Sequence, residues 1–216
     1  MRSIAIALAS AFLLAAPAAA QVTFTNEPWA VASRPVKINY RMPAGCDPST
    51  SGAAATWNNT GARFQITDVG NYYQSEYINE QTNPDYNFIN IQDASGLAST
   101  TPMQTISTSG YSGGRYVRTD ANIYVNTNML YYFDPGETQQ STDFYCASTV
   151  PAGGIGSQTD YQTAMVHEFG HAIGFGHRTD GNTGPCVMAA SVPRGTIKRN
   201  PCTDERQRML SVYGQR

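Results

Sequence analysis

His167-Glu168-Phe169-Gly170-His171-Ala172-Ile173-Gly174-Phe175-Gly176-His177 is the stretch that decides how this chain is read. It holds all three histidines of the 216-residue sequence. They fall in the pattern H-E-x-x-H-x-x-G-x-x-H with every specified position filled. In a helix, residues four apart lie on one face, so His167 and His171 point the same way and can grip one ion. Glu168 sits about 100° round the helix from His167, where it can reach a water without taking a coordination site. Met165, Val166, Phe169, Ala172 and Ile173 form an apolar arc on the other side, which would bury the helix and hold the ligands still. Gly174 tolerates positive φ, so it can end the helix and turn the chain until His177 meets the same ion. Three neutral nitrogen donors and a carboxylate match a catalytic site for one Zn2+ with an open fourth position. His167, His171 and His177 are the candidate ligands, and Glu168 is the candidate general base.

Working outward, residues 1–20 read as a secretory signal. Arg2 is followed by an apolar run from Ile4 to Leu14, too short for a membrane span, and by small residues at Ala18-Ala19-Ala20. Cleavage near Ala20 would leave a secreted chain, extracellular or periplasmic. No other run is long and apolar enough to cross a bilayer. Residues 21–35 form an N-terminal segment, and 36–216 suit one lobed domain. Net charge is −2 and the charged fraction 14%. With no basic run, nucleic acid is excluded as an expected partner.

Alternating or β-rich runs predict strands at Val36–Arg41, Phe64–Val69, Asn87–Gln92 and Ala121–Asn126. A further one, at a sheet edge, is expected within Gly96–Ile106. Ser49 is expected to cap a helix that runs through Trp57 and ends near Gly61. Residues 127–157, rich in Tyr and Gly, read as loop. Ser157 or Thr159 is expected to cap the histidine helix, with Asp160 in its first turn. Thr203 is expected to cap a last helix through Tyr213, stopped by Gly214.

The long histidine motif resembles that of the metzincin metallopeptidases, with Cys186-Val187-Met188 similar to the family's Met-turn. That resemblance implies an α+β, metzincin-like zincin fold over residues 36–214. It would have a five-stranded twisted sheet, two long helices above the cleft and a small lower lobe with a C-terminal helix. Met188 would be an apolar floor beneath the metal. The closest likeness is to matrixins, but Arg178 stands where a small residue is usual. Ala189-Ala190 follows Met188, so the tyrosine that follows the Met-turn in astacins is missing. No dense Asp/Gly loop suggests calcium.

Cys46, Cys146, Cys186 and Cys202 read as two disulfides in an exported chain, with three connectivities possible. Cys186–Cys202 is favoured because it would close the loop carrying Met188, which leaves Cys46–Cys146. No cysteine precedes the first strand after the signal, so no cysteine-switch latency is expected.

The implied activity is zinc-dependent endopeptidase action by a monomer on an extended protein or peptide. The substrate would pair with an edge strand within Gly96–Met103 and place a side chain against Ala189–Ile197. Arg194 reads as a solvated loop residue, with a specificity residue as the alternative, and Tyr131, Tyr132 and Phe133 as loop anchors, with a substrate wall as the alternative. The alternatives are a zinc-binding recognition module without catalysis, or a zinc amide hydrolase acting on cell-wall peptide.

Overall fold

The computed structural model describes residues 22–24, 28–29, 36–40, 46–67, 87–98, 100–112, 114–126, 129, 131–132, 144–179 and 184–216. The expected signal segment, most of residues 25–35, Arg41, Val69 and Phe133 lie outside them. The chain is α+β. In order come β1 (Val22–Phe24), β2 (Val36–Tyr40), α1 (Asp47–Asn58), β3 (Ile66–Thr67), β4 (Asn87–Ala94), β5 (Met103–Ser112) and β6 (Arg115–Asn126). There follow β7 (Tyr131–Tyr132), β8 (Phe144–Tyr145), β9 (Thr159–Asp160), α2 (Tyr161–Ile173), β10 (Phe175–Arg178) and α3 (Thr203–Tyr213).

The main sheet has five strands in the order β3-β2-β4-β6-β5. The pairs β2–β3, β2–β4 and β4–β6 are parallel, and β5 closes one edge antiparallel to β6. Period-two alternation decides what each face does. Ile89 and Ile91 of β4, and Ala121, Ile123 and Val125 of β6, are fully buried on the face that meets the helices. In β5, Met103 and Thr105 pair with Val125 and Ile123, so they share that face. The opposite face is polar and bound to itself: the Asn90 amide donates to Asp120 Oδ1 (3.1 Å), and the Asn122 amide to Asp120 Oδ2 (3.0 Å).

Helix α1 starts earlier than expected. Cys46 is its N-cap residue, and Pro48 sits in the first turn, where a missing N–H costs nothing. The Ser49 hydroxyl is not a cap; it donates to the Cys146 carbonyl, beside the Cys46–Cys146 disulfide. Ala53, Ala54 and Trp57 are buried, and the Trp57 indole N–H donates to the carbonyl of Val166 in α2 (2.8 Å). The helix also ends at Asn58, short of Gly61.

Residues 127–157 are not all loop: β7 and β8 join β9 in a small parallel sheet. Phe144 of β8 packs edge-on against Tyr161 at the start of α2, with ring centroids 5.3 Å apart. The last helix is capped one residue earlier than expected, at Cys202. Glu205 at its third position accepts the Cys202 N–H (2.8 Å), which makes Thr203 the first helical residue. Gly214 ends it at φ 75°.

Candidate metal centre

Asp160 is the N-cap of α2 itself, neither Ser157 nor Thr159, and it is not in the first turn. Its carboxylate accepts the Thr163 N–H (2.9 Å) and is held by the Arg199 guanidinium, whose Nε donates at 2.8 Å. The buried apolar arc of α2 is as expected: Met165, Val166, Phe169, Ala172 and Ile173 are all sealed from solvent. At its other end the chain turns at Gly174, with φ 125° and ψ 0°, and the Gly174 N–H donates to the carbonyls of Gly170 and His171.

Carbonyls of this end also find donors from far along the chain. The Trp29 indole reaches Ala172 O (2.8 Å), Arg118 reaches His171 O (2.8 Å) and the Tyr213 hydroxyl reaches Ile173 O (2.6 Å). A helix end buried without such partners would carry unsatisfied acceptors. After the turn, β10 carries His177 back past α2, and β1 pairs with it antiparallel. Phe24 of β1 packs edge-on against Phe175 at 5.1 Å.

The outcome is a triangle of imidazole nitrogens. The Nε2 atoms stand 3.0 Å apart for His167 and His171, 3.1 Å for His171 and His177, and 3.2 Å for His167 and His177. His167 Nδ1 lies 2.7 Å from the Val187 carbonyl, and His171 Nδ1 lies 2.8 Å from the Phe175 carbonyl. A carbonyl only accepts, so each Nδ1 carries the proton and each Nε2 presents a lone pair to the centre. Burial pushes both imidazoles down to about 4, so they are neutral at pH 7. Lone pairs converging at this range repel unless a cation sits among them. With Zn–N bonds of about 2.05 Å, tetrahedral ligands stand about 3.3 Å apart, close to the spacing here. The three histidines therefore fit a zinc ion.

Glu168 is buried beside the triangle. Its Oε2 accepts the Thr105 hydroxyl at 2.6 Å. Burial raises the carboxyl above the ordinary glutamate range, against the pull of His171 and of the Thr105 hydroxyl. Proton affinity moved up toward neutrality suits a group that must take a proton and give it back.

Met188 lies fully buried under α2. A Cβ on Gly170 would come within 3.0 Å of Met188 Cε and nearer still to its sulfur. The turn around Met188 is tied on three sides. Val187 O meets His167, Met188 O accepts the Arg178 N–H (2.9 Å), and Glu205 accepts the N–H groups of Met188 (2.7 Å) and Val187 (3.2 Å). Cys186 and Cys202 are bonded to each other, so neither offers a thiolate near Glu205. Arg178, the residue that departed from the matrixin pattern, is buried and reaches Asp204 at 3.3 Å in α3. It ties the end of the ligand strand to the last helix.

A cleft of about 490 Å3 runs past the triangle. Thr105 and Ser107 line one side; Ala189, Ala190, Val192 and Pro193 line the other. Arg194 is exposed and not among the lining residues. The edge strand begins at Met103, later than expected. Asn126 donates to the carbonyls of Ala98 (3.0 Å) and Thr101 (2.9 Å), which folds the preceding segment into a turn. Among the described residues the outer edge of β5 is therefore unpaired, and the strand does not extend back before Met103.

Thr105, Arg118, Glu205 and the paired role of Arg178 had no signal in the sequence. Each acts across long separations, 63 residues in the case of Thr105 and Glu168.

No protein-family profile matches the chain, and no curated protein matches it in sequence. Among solved structures it is similar to high choriolytic enzyme 1, a hatching enzyme zinc-protease from Oryzias latipes (medaka fish). The identity is 12% and the TM-score 0.40, over 89% of this chain and 100% of that one.

Proposed function

We propose that the protein is a secreted zinc-dependent endopeptidase of metzincin type. The observation that carries this is the convergence of three histidine Nε2 atoms beside a buried carboxylate, in a cleft bordered by an open strand edge. His167, His171 and His177 hold one zinc ion, and Met188 packs beneath them. The ion's contribution is Lewis acidity toward a carbonyl and a water. An extended peptide pairs its backbone with β5, which binds many sequences through main-chain hydrogen bonds. One of its side chains enters the space walled by Ala189–Pro193. Glu168 takes a proton from the attacking water at its carboxylate and returns it to the leaving amine. Two disulfides suit an oxidising compartment. No helix among the described residues is long and apolar enough to cross a membrane.

The test compares wild type with Glu168→Gln on an unfolded protein substrate, with bound zinc measured in both. Zinc content should match, while cleavage falls about 10²- to 10⁴-fold, the usual worth of a general base. Equal rates would remove Glu168 from the mechanism. Zinc binding by a wild type that cleaves no protein or peptide would favour a recognition module.

A further inference from the structure

Among the described residues, the one hydrogen bond to the Glu168 carboxylate comes from the Thr105 hydroxyl. Thr105 sits on β5, opposite Ile123, with its side chain on the face that meets α2. Its single hydroxyl oxygen lies 2.6 Å from Glu168 Oε2 and 3.1 Å from the Glu168 backbone carbonyl. The one hydroxyl proton goes to the carboxylate, because a charge-assisted hydrogen bond is the stronger. A glutamate has three rotatable side-chain bonds, and without this anchor its carboxylate has no fixed direction in the cleft.

We propose that Thr105 is the positioning residue for Glu168: its hydroxyl, mounted on the open edge strand, fixes the direction in which the carboxylate meets the reacting water. The proposal rests on the reading of Glu168 as the base. It adds that one strand does two jobs. The backbone of β5 borders the substrate, and a side chain of the same strand aims the base. Any movement of β5 moves both together, so the base keeps its distance from the scissile bond. In this role the Thr105 hydroxyl touches Glu168 and not the metal, and the strand backbone that borders the cleft is unchanged by its loss, so the loss acts on turnover and not on binding.

The test uses Thr105→Val, which keeps the β-branched shape without the donor, and Thr105→Ser, which keeps the donor. In Thr105→Val, kcat should fall about 10- to 100-fold, the scale set by a catalytic group displaced by about an ångström. KM should stay within about twofold, and so should zinc affinity measured by chelator competition. Thr105→Ser should recover most of kcat. A Thr105→Val enzyme with wild-type kcat overturns the proposal. So does a loss of kcat accompanied by lost zinc affinity that Thr105→Ser does not restore, since that is structural damage.

A second readout is independent of turnover. In the zinc-free protein at pH 9, the Glu168 carboxylate stretch is isolated as the infrared difference between wild type and Glu168→Gln. It should shift when Thr105 becomes Val, and an unmoved band overturns the proposal whatever the activity. Equal activity of wild type and Glu168→Gln, with the band shifted, would instead sink the reading of Glu168 as base.

Discussion

Replacing Gly174 by alanine should damage the centre from a residue that never touches the metal. At φ 125° and ψ 0°, Gly174 lies where residues with a Cβ are strained by about 1–3 kcal/mol. A Cβ there would stand 2.7 Å from Phe24 Cζ and nearer still to Cε1, so the ring must move. Phe24 would then lose its edge-on contacts with Phe175 at 5.1 Å and Tyr213 at 6.0 Å, each worth about 0.5–1.5 kcal/mol. The stiffer unfolded chain gives back about 0.4–1 kcal/mol. The net cost is about 2–4 kcal/mol, or about 5–15 °C in Tm for a chain of this size. Because β1 pairs with the strand that carries His177, zinc affinity should fall with stability. Thermal unfolding of the metal-free protein and chelator competition read the two effects. Phe24→Ala removes the clash, so the double variant should lose less than the sum of the singles. A Gly174→Ala protein within 0.5 kcal/mol of wild type, a margin ordinary for a neutral surface change, refutes both the strain and the close approach.

Two further outcomes follow from the buried ionisable groups. His167 and His171 have folded pKa values lowered from 6.5 to about 4, so the unfolded chain binds more protons between those limits. Their contribution to metal-free stability is present above pH 6.5 and lost as pH falls toward 4, on the order of a few kcal/mol in all. Glu168 and Glu205, raised by burial, act in the opposite sense above pH 4.5. The urea midpoint is therefore compared with that of a His167→Ala/His171→Ala variant, in which the acid loss should vanish; parallel profiles would contradict it. Glu205→Ala leaves three backbone N–H groups, of Val187, Met188 and Cys202, without their acceptor. It should cost on the order of 3–5 kcal/mol in urea unfolding, and Glu205→Gln distinctly less; equal effects would deny Glu205 this role.

Much of the centre was legible because it is local. The i, i+4 spacing places His167 and His171, and Gly174 announces the turn that brings back His177. The apolar arc of α2 and the alternation in β4 and β6 are likewise short-range patterns that packing respects. The misses share a cause. Ser49, Ser157, Thr159 and Thr203 were all reasonable caps by type, yet Cys46, Asp160 and Cys202 hold those positions. For the first two helices the choices are made by distant partners, the Cys146 carbonyl for Ser49 and Arg199 for Asp160; for α3 the choice is local, made by Glu205 three residues past Cys202. Thr105 is one threonine in a Ser/Thr-rich strand, and only the docking of α2 on β5 singles it out. The edge strand shifted for a similar reason, because Asn126 folds the segment before Met103 into a turn.

The end of α2 has a consequence for how the protein is made. Its last carbonyls are closed by Trp29, Arg118 and Tyr213, which lie 143, 53 and 40 residues away from their acceptors. A ribosome-bound chain that has released α2 and all three histidines still lacks Tyr213 and the α3 carboxylate that secures the turn under them. The ligands are thus synthesised well before they can be fixed in place. Metal capture should wait until α3 has emerged, and nascent fragments ending before residue 205 should bind zinc no better than an unstructured histidine peptide.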